Sequence, residues 1–139
     1  RFFWFTSTGW MMWNFLIGGL LLGCTIVLYD GSPAYPNLLS LWELSENLGV
    51  TYFGISASFI QSCIKEKIHP GKKLDLSKVK SIGSTGSPLS IDCFEWISSE
   101  IGQDILINSY RSSSPVFYVN GTDEFQLHEP KLPLTEQFL

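Results

Sequence analysis

The chain has 139 residues, the size of one domain, because a single hydrophobic core commonly serves roughly 100–200 residues. A formal net charge of −4 and a sequence pI near 5.0 exclude a nucleic-acid binder that works by neutralising phosphates. Hydrophobic residues at 45%, aromatics at 14% and a mean hydropathy of +0.15 exclude a disordered chain, since that much apolar surface can offset the entropy of ordering.

No charged residue occurs from Phe2 to Tyr29, so every charged side chain except Arg1 falls later. The stretch is long enough for a bilayer, for which about 20 apolar residues suffice. A membrane-associated or interaction protein using residues 10–29 is therefore one alternative. The internal pattern favours a folded core without a membrane span: Thr6–Gly9 predicts a loop, Trp10–Leu22 a buried helix, Gly23 its stop, and Thr25–Tyr29 a β-branched strand. Asp30-Gly31-Ser32-Pro33 then makes a turn. Gly19 and Gly23 have the spacing that brings membrane helices together, but they equally let a buried helix pack closely on a sheet.

The alternation continues downstream. Asn37 can cap a helix bearing Leu38, Leu41, Trp42, Leu44 and Leu48, with Gly49 as its stop, and Val50–Phe53 predicts a strand. From Ser56 a helix presents Phe59, Ile60, Cys63 and Ile64, ended by His69-Pro70-Gly71; Val79–Ile82 predicts the next strand. After the loop Gly83–Ser90, Ser90 caps a helix carrying Ile91, Phe94, Trp96, Ile97 and Ile101, stopped by Gly102, and Ile105–Ile107 predicts a strand. Strand centres near residues 27, 52, 80 and 106 are one βαβ repeat apart. The fold class is α/β, with alternating βα units and a mostly parallel sheet. Beyond Ser109 the pattern thins to a loosely structured tail, Tyr110–Leu139, with one strand-like piece at Val116–Val119.

Cys24, Cys63 and Cys93 form no CxxC or Cys/His pattern and lie in or beside apolar segments, which predicts reduced thiols in the cytosol. The sequon Asn120-Gly121-Thr122 carries no meaning there. No metal-ligating constellation is visible.

Three strings sit where chemistry is often found. Gly54-Ile55-Ser56-Ala57-Ser58 lies between strand and helix as a nucleophile elbow does, making a serine hydrolase with Ser56 a second alternative. Ser58 replaces the elbow's second glycine, and only His69 and His128 could act as base, so Ser56 is expected to be a helix cap. Lys65, Lys67, Lys72, Lys73, Lys78 and Lys80 could attract a phosphorylated ligand, although such runs are usually solvated helix ends. Gly83-Ser84-Thr85-Gly86-Ser87-Pro88 is the most informative, because it joins a strand to a helix at the carboxyl end of a parallel sheet, where open α/β folds bind ligands. Its glycines permit close approach of a flat ligand or a phosphate, but it lacks the G-K-[ST] ending of a P-loop and does not match G-x-G-x-x-G, so by pattern alone it is more often a tight connection.

Several strings in order resemble the acetoacetate–CoA ligases within the adenylate-forming acyl-CoA synthetase family. They are Arg1-Phe2-Phe3-Trp4, Thr8-Gly9-Trp10-Met11-Met12-Trp13-Asn14, Ile26–Pro36, Gly49–Gly54 and Ser81–Ser90. The resemblance covers residues 1–109, as a piece of an AMP-binding domain, with 110–139 divergent. It implies part of the large N-terminal domain of an enzyme that activates acetoacetate with ATP and Mg²⁺ to an acyl adenylate, then transfers the acyl group to CoA. It also implies that Gly86, Ser87 and Pro88 border the adenine and that Thr8 and Gly9 border the acyl and pantetheine tunnel. The family's phosphate loop and its C-terminal domain with the catalytic Lys are not among these residues, and Asn108-Ser109-Tyr110-Arg111-Ser112 stands where a T-S-G-S-G-G-T-D-type segment is expected. Asn120-Gly121-Thr122-Asp123 lies too far along for a role to be carried to Asp123. The expectation is an internal piece of such a ligase that is inactive in isolation, with no residue assigned to catalysis.

Overall fold

The computed structural model describes residues 1–111 and 114–118. Its centre is one sheet of six strands: β1 (Phe2–Trp4), β2 (Ile26–Val27), β3 (Tyr52–Ser56), β4 (Ser81–Thr85), β5 (Leu106–Arg111) and β6 (Ser114–Tyr118), in spatial order β2-β1-β3-β4-β5-β6. The first five are mutually parallel, and β6 pairs antiparallel with β5. The helices α1 (Met11–Gly18), α2 (Ser40–Leu48), α3 (Ala57–Lys65) and α4 (Ile91–Glu100) fill the crossovers. This is the α/β class expected from the spacing of strands.

Two faces of the sheet are packed unequally. Phe3, Val27, Phe53, Ile55, Ile82 and Ile107 point to one side, where they meet Leu41 and Trp42 of α2, Phe59, Ile60 and Cys63 of α3, and Cys93 and Ile97 of α4. Phe2 and Trp4 point to the other side and pack on Met12 and Leu16 of α1, with Ile26 and Tyr52 alongside. Alternate residues of β1 thus serve opposite cores, as the period of two in a strand requires.

The first of these strands is not anticipated by periodicity. Phe2-Phe3-Trp4 is a run of three aromatics buried on both faces, with no polar alternation to mark it, yet it lies between β2 and β3. The helix expected to be buried over 10–22 is also different. It is an α-helix to Gly18 followed by a 3-10 turn Gly19–Leu22, closed by Gly23 at φ 73. It buries only Met12, Leu16 and Gly19 and leaves Met11, Leu20, Leu21 and Leu22 exposed. Among the described residues no helix is long and apolar enough to cross a membrane, because this break divides the uncharged segment.

The caps follow the sequence closely. Ser56 Oγ accepts from Phe59 N at 3.2 Å and Ser90 Oγ from Cys93 N at 3.3 Å, which satisfies one free amide at the start of α3 and of α4. Gly49 ends α2 in the left-handed region at φ 59. Asn37 does not cap α2 itself. It makes an Asx turn, its Oδ1 accepting from Leu39 N at 2.8 Å, and the helix starts at Ser40. The helix from Ser56 ends at Lys65, earlier than His69, and Pro70–Lys72 forms a separate 3-10 turn.

On the α1 side the sheet carries a lane without side chains. Gly54 and Gly83 are register partners, and Trp4 is the register partner of Gly54. A Cβ on Gly54 would stand 2.2 Å from Trp4 Cδ2, and one on Gly83 2.5 Å from Trp4 Cζ3. The indole therefore lies against bare backbone. Gly54→Ala is expected to destabilise the chain by about 1–3 kcal/mol through overpacking, measured as a lower urea midpoint at unchanged m-value.

Candidate functional site

Because β1, β3 and β4 are parallel, the segments that follow them emerge at one edge. The first is Phe5–Trp10, which begins with Phe5 N donating to Gly54 O at 2.9 Å and closes on itself through Trp10 N to Ser7 O at 3.2 Å. That turn presents Thr8 and Gly9, both exposed, with open space around the position of a Gly9 Cβ. The second is Gly86–Ser90 after β4, in which Gly86, Ser87 and Pro88 are exposed. Gly86 sits at φ +92, a conformation that favours glycine.

The two segments meet. The position of a Gly86 Cβ is 3.7 Å from Cη2 of Trp10, the residue after Gly9 and the one that precedes α1. Gly86 thus lies beside the ring of the residue that follows Thr8-Gly9. Trp10, expected to lie in a buried helix, is 40% exposed and stands just before α1, which makes it a further candidate at this edge. An aromatic directly after a Thr-Gly turn was the available signal.

The chemistry this edge can perform is binding. Neither Phe5–Trp10 nor Gly86–Ser90 contains an ionisable side chain; each offers hydroxyls, backbone amides and a flat surface. The amino ends of α3 and α4 face the same edge, where helix dipoles favour negative charge. Among the described residues no group of three or more His, Cys, Asp or Glu side chains could hold a metal ion, so these loops supply no cage for Mg²⁺.

The serine-nucleophile arrangement is not formed by the described residues. Ser56 Oγ serves as the α3 cap and lies 2.9 Å from Ser58 Oγ. His69 follows the far end of that nine-residue helix, on the order of 13 Å away along the axis, and its Nδ1 is engaged by Glu100 Oε1 at 2.8 Å. His128 lies outside the described residues, as do the sequon and Asn120-Gly121-Thr122-Asp123. The lysine cluster sits at the opposite edge. It runs from the end of α3 to the start of β4, so the five residues of β4, roughly 16 Å, separate it from Gly86. Within it Asp75 is held below the usual carboxyl range by the Ser77 side chain and amide. Glu100, nearly sealed, also accepts from Gly71 N at 3.2 Å, which ties the lysine-bearing connection to α4.

All three cysteines are free. Burial pushes the Cys63 thiol up to about 11 from an ordinary 9.0, against a smaller opposing effect of the Trp42 side chain. A thiol so raised is no nucleophile near neutral pH. Its contribution to stability is present in full below about 9.0 and declines as pH rises towards about 11, because the unfolded thiol ionises first. Urea midpoints across that range should fall, and Cys63→Ala should flatten part of the fall.

Comparison with known proteins bears on the family and the fold. A family profile described as AMP-binding enzyme matches residues 1–114. An acetoacetyl-CoA synthetase of Danio rerio is 38% identical over 112 residues, covering 81% of this chain and 17% of that protein. An acetoacetyl-coenzyme A synthetase of Rhizobium meliloti (strain 1021) is 40% identical over 118 residues, 84% of this chain and 18% of that protein. In structure, the acetoacetyl-CoA synthetase from Streptomyces lividans superposes with a TM-score of 0.75 at 52% identity, covering 78% of this chain and 17% of that chain. The chain accordingly spans 17–18% of the length of these relatives.

Proposed function

Because the chain belongs to the AMP-binding enzyme family, we propose that it forms the segment of an acetoacetate–CoA ligase that faces the adenine and the acyl group. In the reaction, a carboxylate oxygen of acetoacetate attacks the α-phosphorus of ATP and the bond to pyrophosphate breaks, leaving acetoacetyl adenylate. The CoA thiolate then attacks the acyl carbon, the bond to AMP breaks, and the thioester forms. Mg²⁺ supplies charge neutralisation at the phosphates when bound. Neither candidate loop carries a carboxylate to hold it, so no step here runs through it.

The observation that carries the proposal is the approach of Gly86 to Trp10. It puts the loop that would border adenine, Gly86-Ser87-Pro88, beside the turn that would border the acyl and pantetheine path, Thr8-Gly9. Gly86 admits a flat base because it has no side chain, and its φ of +92 is a conformation that favours glycine. Thr8 and Ser87 offer hydroxyls on either side. With no ionisable group in either loop, the chain by itself binds and orients; transition-state charge has to be met by groups elsewhere in a longer enzyme. In this proposal residues 1–109 carry the family's core and 110–139 depart from it, and the unpaired cysteines suit a cytosolic setting.

The test is titration with a non-hydrolysable acetoacetyl-sulfamoyl adenosine, followed by tryptophan fluorescence and calorimetry. Saturable binding is expected, with Gly86→Val weakening it roughly tenfold or more because the added side chain occupies the base's approach and resists φ +92. ATP–pyrophosphate exchange by the chain alone should be absent, and a fluorophosphonate should leave Ser56 unlabelled. A folded chain that shows no saturable binding, or a Gly86→Val variant that binds as well as the parent, would sink the proposal.

A further inference from the structure

Trp4 is 2% exposed and touches three strands at once. It belongs to β1, lies over Gly54 of β3 and reaches Gly83 of β4. Phe15 of α1 meets it edge-on, with ring centroids 5.5 Å apart at 86°, and Tyr52 lies nearly parallel at 5.9 Å and 28°. Both loops of the candidate site leave from this plate. One starts immediately after Trp4 and passes through Trp10 into α1, which returns Phe15 to the ring; the other starts three residues beyond Gly83.

Hydrogen bonding fixes the strands along their length but leaves open how far α1 stands off the sheet. That height is set by what fills the space between them. We propose that Trp4 is a positioning residue whose indole thickness sets the separation between the Thr8-Gly9 turn and the Gly86-Ser87-Pro88 loop, and with it the width available to an acyl adenylate. The inference rests on the function proposed above for those loops. A smaller side chain lets α1 settle towards the glycine lane, and Trp10, at the start of α1, shifts against Gly86. Trp42 provides the contrast. It is 0% exposed and stacked on Phe53 at 4.6 Å, but it sits on α2 on the other face, which contributes to neither loop.

The experiment places spin labels at Thr8→Cys and Ser87→Cys in the full 139-residue chain with Cys24, Cys63 and Cys93 replaced by alanine. It measures the distance distribution by pulsed electron resonance, and in the unlabelled chain the affinity for the acetoacetyl-sulfamoyl adenosine and the thermal midpoint. Trp4→Leu should shift or broaden the distance and weaken binding roughly tenfold or more, Trp4→Phe should fall between it and the parent, and Trp42→Leu should lower the midpoint while leaving distance and affinity unchanged. The proposal is overturned if a folded Trp4 variant keeps the parental distance and affinity, or if Trp42→Leu moves both as far as Trp4→Leu. Should Trp4→Leu not fold, Trp4→Phe decides. Should the parent not bind the analogue, the function proposed above fails, while the label distances still decide the role of Trp4.

Discussion

A tryptophan lying flat on the strands is the constraint on which the rest of the structure depends. The face of a parallel sheet normally presents a side chain at every second position, and a ring lying across three strands has nowhere to go. Two glycines in register remove the obstruction, and Trp4 fills the trough they leave. Each glycine in a strand costs roughly 0.5–1 kcal/mol of backbone entropy. Burying an indole of roughly 200 Å² returns about 5 kcal/mol at ~25 cal/mol/Å². The exchange is favourable only if both glycines are kept, since either Cβ would collide with the ring.

From that packing the placement of everything on the α1 side follows. Met12 and Leu16 close over the same cluster, Phe15 abuts the ring, and the short helix is held at one height above the sheet. Because the strands are parallel, the loop that leads into this helix and the loop after Gly83 share the carboxyl edge with the amino ends of α3 and α4. The same directionality sends the end of α3 and the lysine-bearing connection to the other edge, where cations suit the helix carboxyl ends. The lysine cluster and the candidate loops are thereby held at opposite edges by chain direction.

The candidate site has the character of a mould rather than a reactive centre. Its parts are a left-handed-region glycine, hydroxyls, free space and an indole edge, while the carboxylates and lysines lie elsewhere. The buried Cys63 thiol is held neutral by desolvation, and the buried Glu100 carboxylate is occupied with His69 and Gly71 at the far end of α4. In the function proposed above, such a segment would contribute shape and orientation, with charge met by other groups.

Much of this was determined by the amino-acid sequence alone. Local chemistry declares itself locally: Ser56 and Ser90 before their helices, Gly49 after one, β-branched and aromatic runs at a regular repeat, and the Gly86-Ser87-Pro88 loop between a strand and a helix. Those signals sufficed for the α/β class and the parallel sheet; the family was legible only through the resemblance of longer strings such as Thr8–Asn14 and Ser81–Ser90. What only the tertiary structure decided are the features that depend on partners distant in the chain. Phe2-Phe3-Trp4 is a strand because β2 and β3 pair with it on either side, and no property of three aromatic residues announces that. Gly54 and Gly83 read separately as ordinary loop-flanking glycines; only register shows them to be one trough. Trp10 belongs to the site because Gly86, far along the chain, comes to rest against it. The physical reason is common to all three: propensity and capping act over a few residues, whereas register and close packing are set by which surfaces the folded chain brings together.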